Sequence, residues 1–337
     1  MEKSIEQRRK EAVEYLNSKE YKISFSQWTQ FVQSPRHLLR YLSGEFEQTA
    51  VMTFSAKFHT FLLEGEEKFY EKYVVNEKGI TTNSYQERMF IKELVEDGMK
   101  GVEMNWENAF KAVYKIEGKS EQRWKGEAKD KWNKFKNWIK LKVDAGLTGK
   151  EIVSRVDLEL MQDLKGVFED DLDMVRLFKQ GIEFEKKAEG EVVVKDASGN
   201  PERDFKVNAT GRIDIGGVNG KKKFIADLKV IADASTRRAM RSVSDYWLFV
   251  QGGLYSLLEW DENWLEGEYY LLLLDKKGNS NIFELSKEYR SIGMEKFKEY
   301  LLWFRLCRNV NGWRRSYNFF SERGDGVFDI NPPYWLT

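Results

Sequence analysis

Three strand-like runs between Glu189 and Val230 constrain this chain more than any other feature: EGEVVVKD, FKVNATGRIDIGG and KKKFIADLKV. They are joined by the turn signals DASGNPERD and GGVNG. Alternating and β-branched residues punctuated by Gly, Asn and Pro form adjacent strands, and connections this short make antiparallel pairing the local solution. The three runs therefore predict a β-meander. A helix-length pattern follows from Val243 to Trp260, then two more strand-like runs, EGEYYLLLLD and NIFELS, then a helix from about Ser286 to Arg308. The order β-β-β-α-β-β-α predicts an α/β (α+β) fold whose mixed central sheet is flanked by helices.

Residues 1–180 read differently. Their apolar residues recur at three- and four-residue spacing, with one proline, Pro35, so this part reads as a mainly helical region. Residues 181–310 form the expected core, and 311–337, with aromatics and two prolines, an irregular docked tail. Ser24 or Ser26 could cap a helix beginning near Gln27, and Ser34-Pro35 marks a break. FHTFLLEG places His59 on a mainly apolar helix ending at Gly65. Trp106, Trp124, Trp132 and Trp138 lie in a lysine-rich segment that reads as an amphipathic helix pair with its aromatics turned to the core. A basic, aromatic DNA-contacting face is the second reading of that segment.

Fifty-five basic and 55 acidic residues cancel, so affinity for a polyanion would have to come from a local patch. With one cysteine, Cys307, the chain can assemble neither an internal disulfide nor a multi-cysteine metal site, which fits a reducing, cytoplasmic location. The longest apolar run, Tyr269 to Leu274, is too short to span a bilayer, and the charged N-terminus does not read as a signal peptide, so no membrane association is expected.

Chemistry enters with Asp214 in the second strand and Asp227-Leu228-Lys229 in the third. Alternation puts Asp227 and Lys229 on one face, and the short Gly/Asn turn lets Asp214 lie beside Asp227. A D-x-K on a strand is usually a solvated ion pair. Here it is embedded in FIA and LKVIA, and a charged pair inside an apolar strand needs a reason. Two adjacent carboxylates repel unless a cation resolves them, and Mg²⁺ or Mn²⁺, hard and oxygen-preferring, is the natural candidate.

The series GRIDIGG, FIADLKV and QGGLY resembles the motifs of RecB-like nucleases in the PD-(D/E)xK superfamily. SFSQWTQFVQSP, FHTFLLEG and the acidic strand around Glu189 resemble the upstream blocks of phage exodeoxyribonucleases of the exonuclease VIII type. The resemblance implies a restriction-endonuclease-like core and metal-dependent hydrolysis of DNA with one or two ions, leaving a 5′ phosphate. Asp214, Asp227, the carbonyl of Leu228 and His59 would be metal ligands. Lys229 would orient or deprotonate water and offset phosphate charge, Glu189 would be the upstream acid, and Gln251 and Tyr255 would sit over the lysine and the DNA backbone. Glu185 and Glu191 share the parity of Glu189, so alternation leaves the upstream acid open. Two departures stand out: Ser55 and Ala56 where the family usually carries glycine, and VIADAS after the D-x-K.

Arg237, Arg238 and Arg241 are candidates for gripping the DNA backbone, beside the equal alternative of a solvated basic loop. The expected activity is that of an exonuclease on double-stranded ends in phage-type recombination, with an endonuclease, or a non-catalytic DNA-binding relative, as alternatives. A single-strand annealing protein and a homo-oligomer are the further partners the resemblance implies, with the host cytoplasm as location if the chain is phage-encoded.

Overall fold

The computed structural model describes residues 3–46, 50–77, 85–105, 107–108, 111, 121–196 and 198–320. Trp106, the side chain of Trp124 and the expected tail beyond residue 320 lie outside the described residues. In chain order the first elements are α1 (Ile5–Asn17), β1 (Lys22–Ser24), α2 (Phe25–Gln33), α3 (Pro35–Leu42), α4 (Ala50–His59), α5 (Glu66–Lys72), β2 (Tyr73–Asn76) and α6 (Tyr85–Met99). There follow α7 (Glu121–Thr148), β3 (Glu151–Ser154), α8 (Arg155–Asp170), α9 (Leu172–Lys179), β4 (Gly181–Val194), β5 (Phe205–Asn219) and β6 (Lys222–Ile231). The last are α10 (Thr236–Asp245), α11 (Leu248–Trp260), β7 (Glu268–Asp275), β8 (Ser280–Glu284) and α12 (Lys287–Asn309).

The chain divides into two compact units, one made of residues 1–55 and 166–337, the other of residues 56–165. The larger unit is a mixed α/β layer structure whose sheet runs β1-β5-β6-β7-β8, with β4 also paired to β5. β4, β5 and β6 form the expected antiparallel meander. β6 and β7 are parallel, with α10 and α11 as the crossover, and β7 returns antiparallel into β8. β1 adds to β5 in parallel, which ties the N-terminal helices to the sheet.

Local chemistry accounts for the main boundaries. Ser24 caps α2 through a capping box with Gln27, and Ser34 caps α3, which starts at Pro35 where no N–H is needed. Ser286 caps α12. The expected helix from Val243 to Trp260 is two helices, because Trp247 takes φ 57° and turns the chain between α10 and α11. Tertiary packing supplies the reason: Trp247 meets Trp28 edge-on, ring centroids 5.5 Å apart, in a cluster where Trp28 also stacks on Phe297. α11 and α12 cross closely enough that a Cβ on Gly293 would lie 2.3 Å from the carbonyl oxygen of Phe249, and one on Gly253 2.6 Å from that of Arg290. Those two glycines let α11 press its remaining face onto the sheet.

In the smaller unit, β2 and β3 pair in parallel, and α6 packs on α7 through Phe90, Ile91, Leu94, Phe135 and Ile139. Trp132 and Trp138 are partly buried against this cluster. No helix among the described residues is long and apolar enough to cross a membrane.

Candidate active site

Strand register assembles the site. The β4–β5 ladder runs Phe184↔Ile215 and Lys186↔Ile213 on either side of Glu185, which sets Glu185 opposite Asp214. The β5–β6 ladder ends at Ile215↔Ala226, and one further step sets Asp214 opposite Asp227. Three carboxylates thus stand in a row across three neighbouring strands. Carboxylate oxygens of Glu185 and Asp214 lie within 4.8 Å of each other. Asp214 Oδ2 also accepts the backbone N–H of Leu228 at 2.8 Å, so the acid itself stitches β5 to β6 where the regular ladder opens.

Asp214 and Asp227 are 6% and 1% exposed, depths at which a carboxylate needs partners. Asp227 Oδ2 meets the Lys229 ammonium at 2.5 Å, and its Oδ1 accepts from Gln251 Nε2 at 2.8 Å. Glu185 pairs with Arg212. Burial pulls the Lys229 pKa down, but Asp227 and Asp214 outweigh it and hold the group above an ordinary lysine. Lys229 is therefore a fixed cation here. Three carboxylates against two cations leave the row with a net negative charge of one, lined by hard oxygen donors, and those residues fit a divalent cation.

Helix α11 roofs the row. Gln251 and Tyr255, one turn apart, are both buried on its sheet-facing side. Burial raises the Tyr255 pKa and the nearby Asp227 raises it further, so the phenol stays protonated, while its oxygen accepts the backbone N–H of Arg212. A Cβ on Gly211 would lie 2.6 Å from Tyr255 Cε1, so the first glycine of GRIDIGG makes room for that ring.

The structure brings together Asp214, Asp227, Lys229, Gln251 and Tyr255, with the Leu228 carbonyl 3.5 Å from Lys229 Nζ. Glu189 lies elsewhere. It pairs with Thr210, on the same face as Asp214 but four residues along β5, about 13 Å away at strand spacing, and its carboxylate is held by Lys22 and Lys187. Glu185 takes the place beside Asp214, at φ 53°, a left-handed backbone that costs a non-glycine residue about 1–3 kcal/mol and is found most often at functional sites. His59, in the smaller unit, ends α4 half-buried, just before a π-helical turn over Thr60–Glu64. Arg237, Arg238 and Arg241 lie on the exposed face of α10, around a surface hollow that Asp233 and Asp245 share. Arg241 pairs with Asp245 at 3.3 Å.

Asp275, which carried no motif, organises the approach to α10. It is fully buried and accepts from the backbone N–H of Ala234, Lys277 and Asn279 and from the Asn279 amide. Asn281 Nδ2 donates to the Ala234 carbonyl. These bonds fix the short link between β6 and the arginine helix. The only advance sign was a lone acid ending the apolar run YYLLLLD.

No protein-family model matches the chain, and no curated protein matches it. Among solved structures it is similar to the crystal structure of a Eubacterium rectale protein that bears a provisional exonuclease name, with a TM-score of 0.43 and 10% identity over 99% of this chain and 96% of that one.

Proposed function

We propose that this chain is a metal-dependent deoxyribonuclease of the PD-(D/E)xK type that digests duplex DNA from its ends. The observation that supports it most is the row Glu185, Asp214, Asp227 with Lys229 beside it, built on adjacent strands under α11. Asp214, Asp227, Glu185 and the carbonyl of Leu228 would hold the cation, and His59 joins the ligand set through the motif resemblance alone. Mg²⁺ or Mn²⁺, when bound, supplies Lewis-acid activation of water and of a phosphoryl oxygen.

The chain's own groups do the rest. Lys229, held as a cation at the rim of the row, offsets charge that develops on the phosphate. Gln251 fixes the orientation of Asp227, and Tyr255 closes the roof against water. Arg237, Arg238 and Arg241 offer guanidinium groups to phosphates along the strand, contacts that position DNA without reading its sequence.

Exonuclease action follows from the upstream blocks that resemble phage recombination enzymes, and topology of the substrate tests it. Linear duplex should be digested in Mg²⁺ or Mn²⁺, covalently closed circular duplex should survive, and chelator should stop the reaction. Equal loss of both forms would establish an endonuclease instead, and digestion that continues in chelator would contradict the metal site.

A further inference from the structure

The described lysines of α7 are distributed unevenly around the helix. Between Lys129 and Lys142 there are six lysines and a single acid, Asp130. Phe135, Ile139 and Val143 are buried, and Lys134 and Lys142 are engaged near that side, the first by Glu87 at 2.6 Å and the second over the Trp138 ring at 5.0 Å. The exposed side carries Lys129, Asn133, Lys136, Asn137 and Lys140, with Asp130 and Asp144 at its edge. At 3.6 residues per turn, Lys129, Lys136 and Lys140 fall within about 40° of one another, spread over roughly 16 Å of helix axis. No ion pair involves these three among the described residues. On α12 and α8, lysine or arginine is ion-paired to acids one turn away, whereas Asp144, exposed one turn beyond Lys140, forms no ion pair with it among the described residues.

We infer that this lysine–asparagine stripe is a second binding surface for the phosphate backbone of duplex DNA, separate from the arginine helix α10. Three ammonium groups outside any ion pair complement a polyanion with one charge per ~1.7 Å of duplex axis, and asparagine amides donate to phosphate oxygens. The stripe has no apolar side chain to insert, which sets it apart from a helix that lies in a lipid interface. The inference rests on reading DNA as the substrate.

The test is binding of the full-length protein to a labelled linear duplex, by fluorescence anisotropy in chelator over a series of salt concentrations. The triple variant Lys129→Gln, Lys136→Gln, Lys140→Gln should bind at least about tenfold more weakly near 0.1 M salt, and the slope of log affinity against log salt should become shallower by roughly 2 to 3. The corresponding triple Lys→Arg variant should bind as wild type, and Gln at the exposed Lys10, Lys19 and Lys195 should change the slope much less. An unchanged slope in the first variant, with an unaltered melting temperature, overturns the inference. So does loss of affinity for anionic vesicles with duplex binding intact. Absence of metal-dependent digestion in wild type, together with the shallower slope in the triple Gln variant, would count against the nuclease reading and leave the stripe standing. Wild type with no affinity for duplex overturns the stripe.

Discussion

Replacing Asp227 or Lys229 by alanine should lower metal-dependent digestion of linear duplex by about 10³-fold or more. Both side chains belong to one buried constellation, and loss of a ligand and loss of a charge-stabilising group each cost orders of magnitude in hydrolytic enzymes. The two changes differ in their structural consequences. Without Asp227, the Lys229 ammonium and the Gln251 amide lose their shared acceptor, and breaking a buried pair from one side costs about 3–5 kcal/mol. That upper figure falls here because Lys229 keeps a quarter of its side chain in solvent. Without Lys229, Asp227 keeps its bond to Gln251, but its carboxylate, 1% exposed beside Asp214, loses its counter-charge, so this change also lowers stability. In Lys229→Ala protein that retains the wild-type circular dichroism spectrum, single-turnover assays should find no activity. Wild-type rates in the folded Lys229→Ala protein would refute its role.

Asp275→Ala should be among the most damaging single changes to stability outside the candidate site, costing about 2–4 kcal/mol, since it strands the buried N–H of Ala234 and removes the shared acceptor of the part-buried N–H groups of Lys277 and Asn279. Its pH dependence has a definite sign. Burial pushes the Asp275 carboxyl up, but the Ala234 N–H and the donors of Asn279 and Lys277 more than offset it and leave the pKa below the ordinary value of 3.8. A carboxyl depressed in the folded state stabilises fully above its unfolded pKa of about 3.9, and that contribution is lost as pH falls through the folded value. Urea denaturation should show the gap between wild type and variant wide at pH 7 and narrowing below about pH 4. A gap that stays constant on acidification would mean that the carboxylate's charge is not what holds the loop.

Much of the site was legible because it depends on local rules. Strand alternation places Asp227 and Lys229 on one face whatever the tertiary structure, and a short turn fixes which residue of β5 comes level with Asp227. Helix spacing does the same for Gln251 and Tyr255. The upstream acid was not legible, because it depends on where β4 begins. The charged run GIEFEKKA does not look like a strand, yet β4 starts at Gly181, and that earlier start brings Glu185 rather than Glu189 level with Asp214. Parity is the same for both acids, so only the register separates them.

Long-range pairing hid other features. β1 is three residues long and meets β5 through Lys22↔Asn208, a partner far away in sequence, and the salt bridge that occupies Glu189 comes from that same Lys22. The turn at Trp247 lacks glycine or asparagine to announce its left-handed backbone and is held by aromatic packing instead. The central mixed sheet flanked by helices was readable from element order. The grouping of residues 1–55 with 166–337 was not, because nothing in a linear pattern of helices says which of them return to the sheet.

Titration of Mn²⁺ into the full-length protein, followed by calorimetry, tests most directly whether the carboxylate row is a cation site. Saturable binding is expected in wild type and in Glu189→Gln. Affinity should fall at least about tenfold in Glu185→Gln and be lost in Asp214→Asn. Equal affinity in wild type and Asp214→Asn, or a loss confined to Glu189→Gln, would contradict the account.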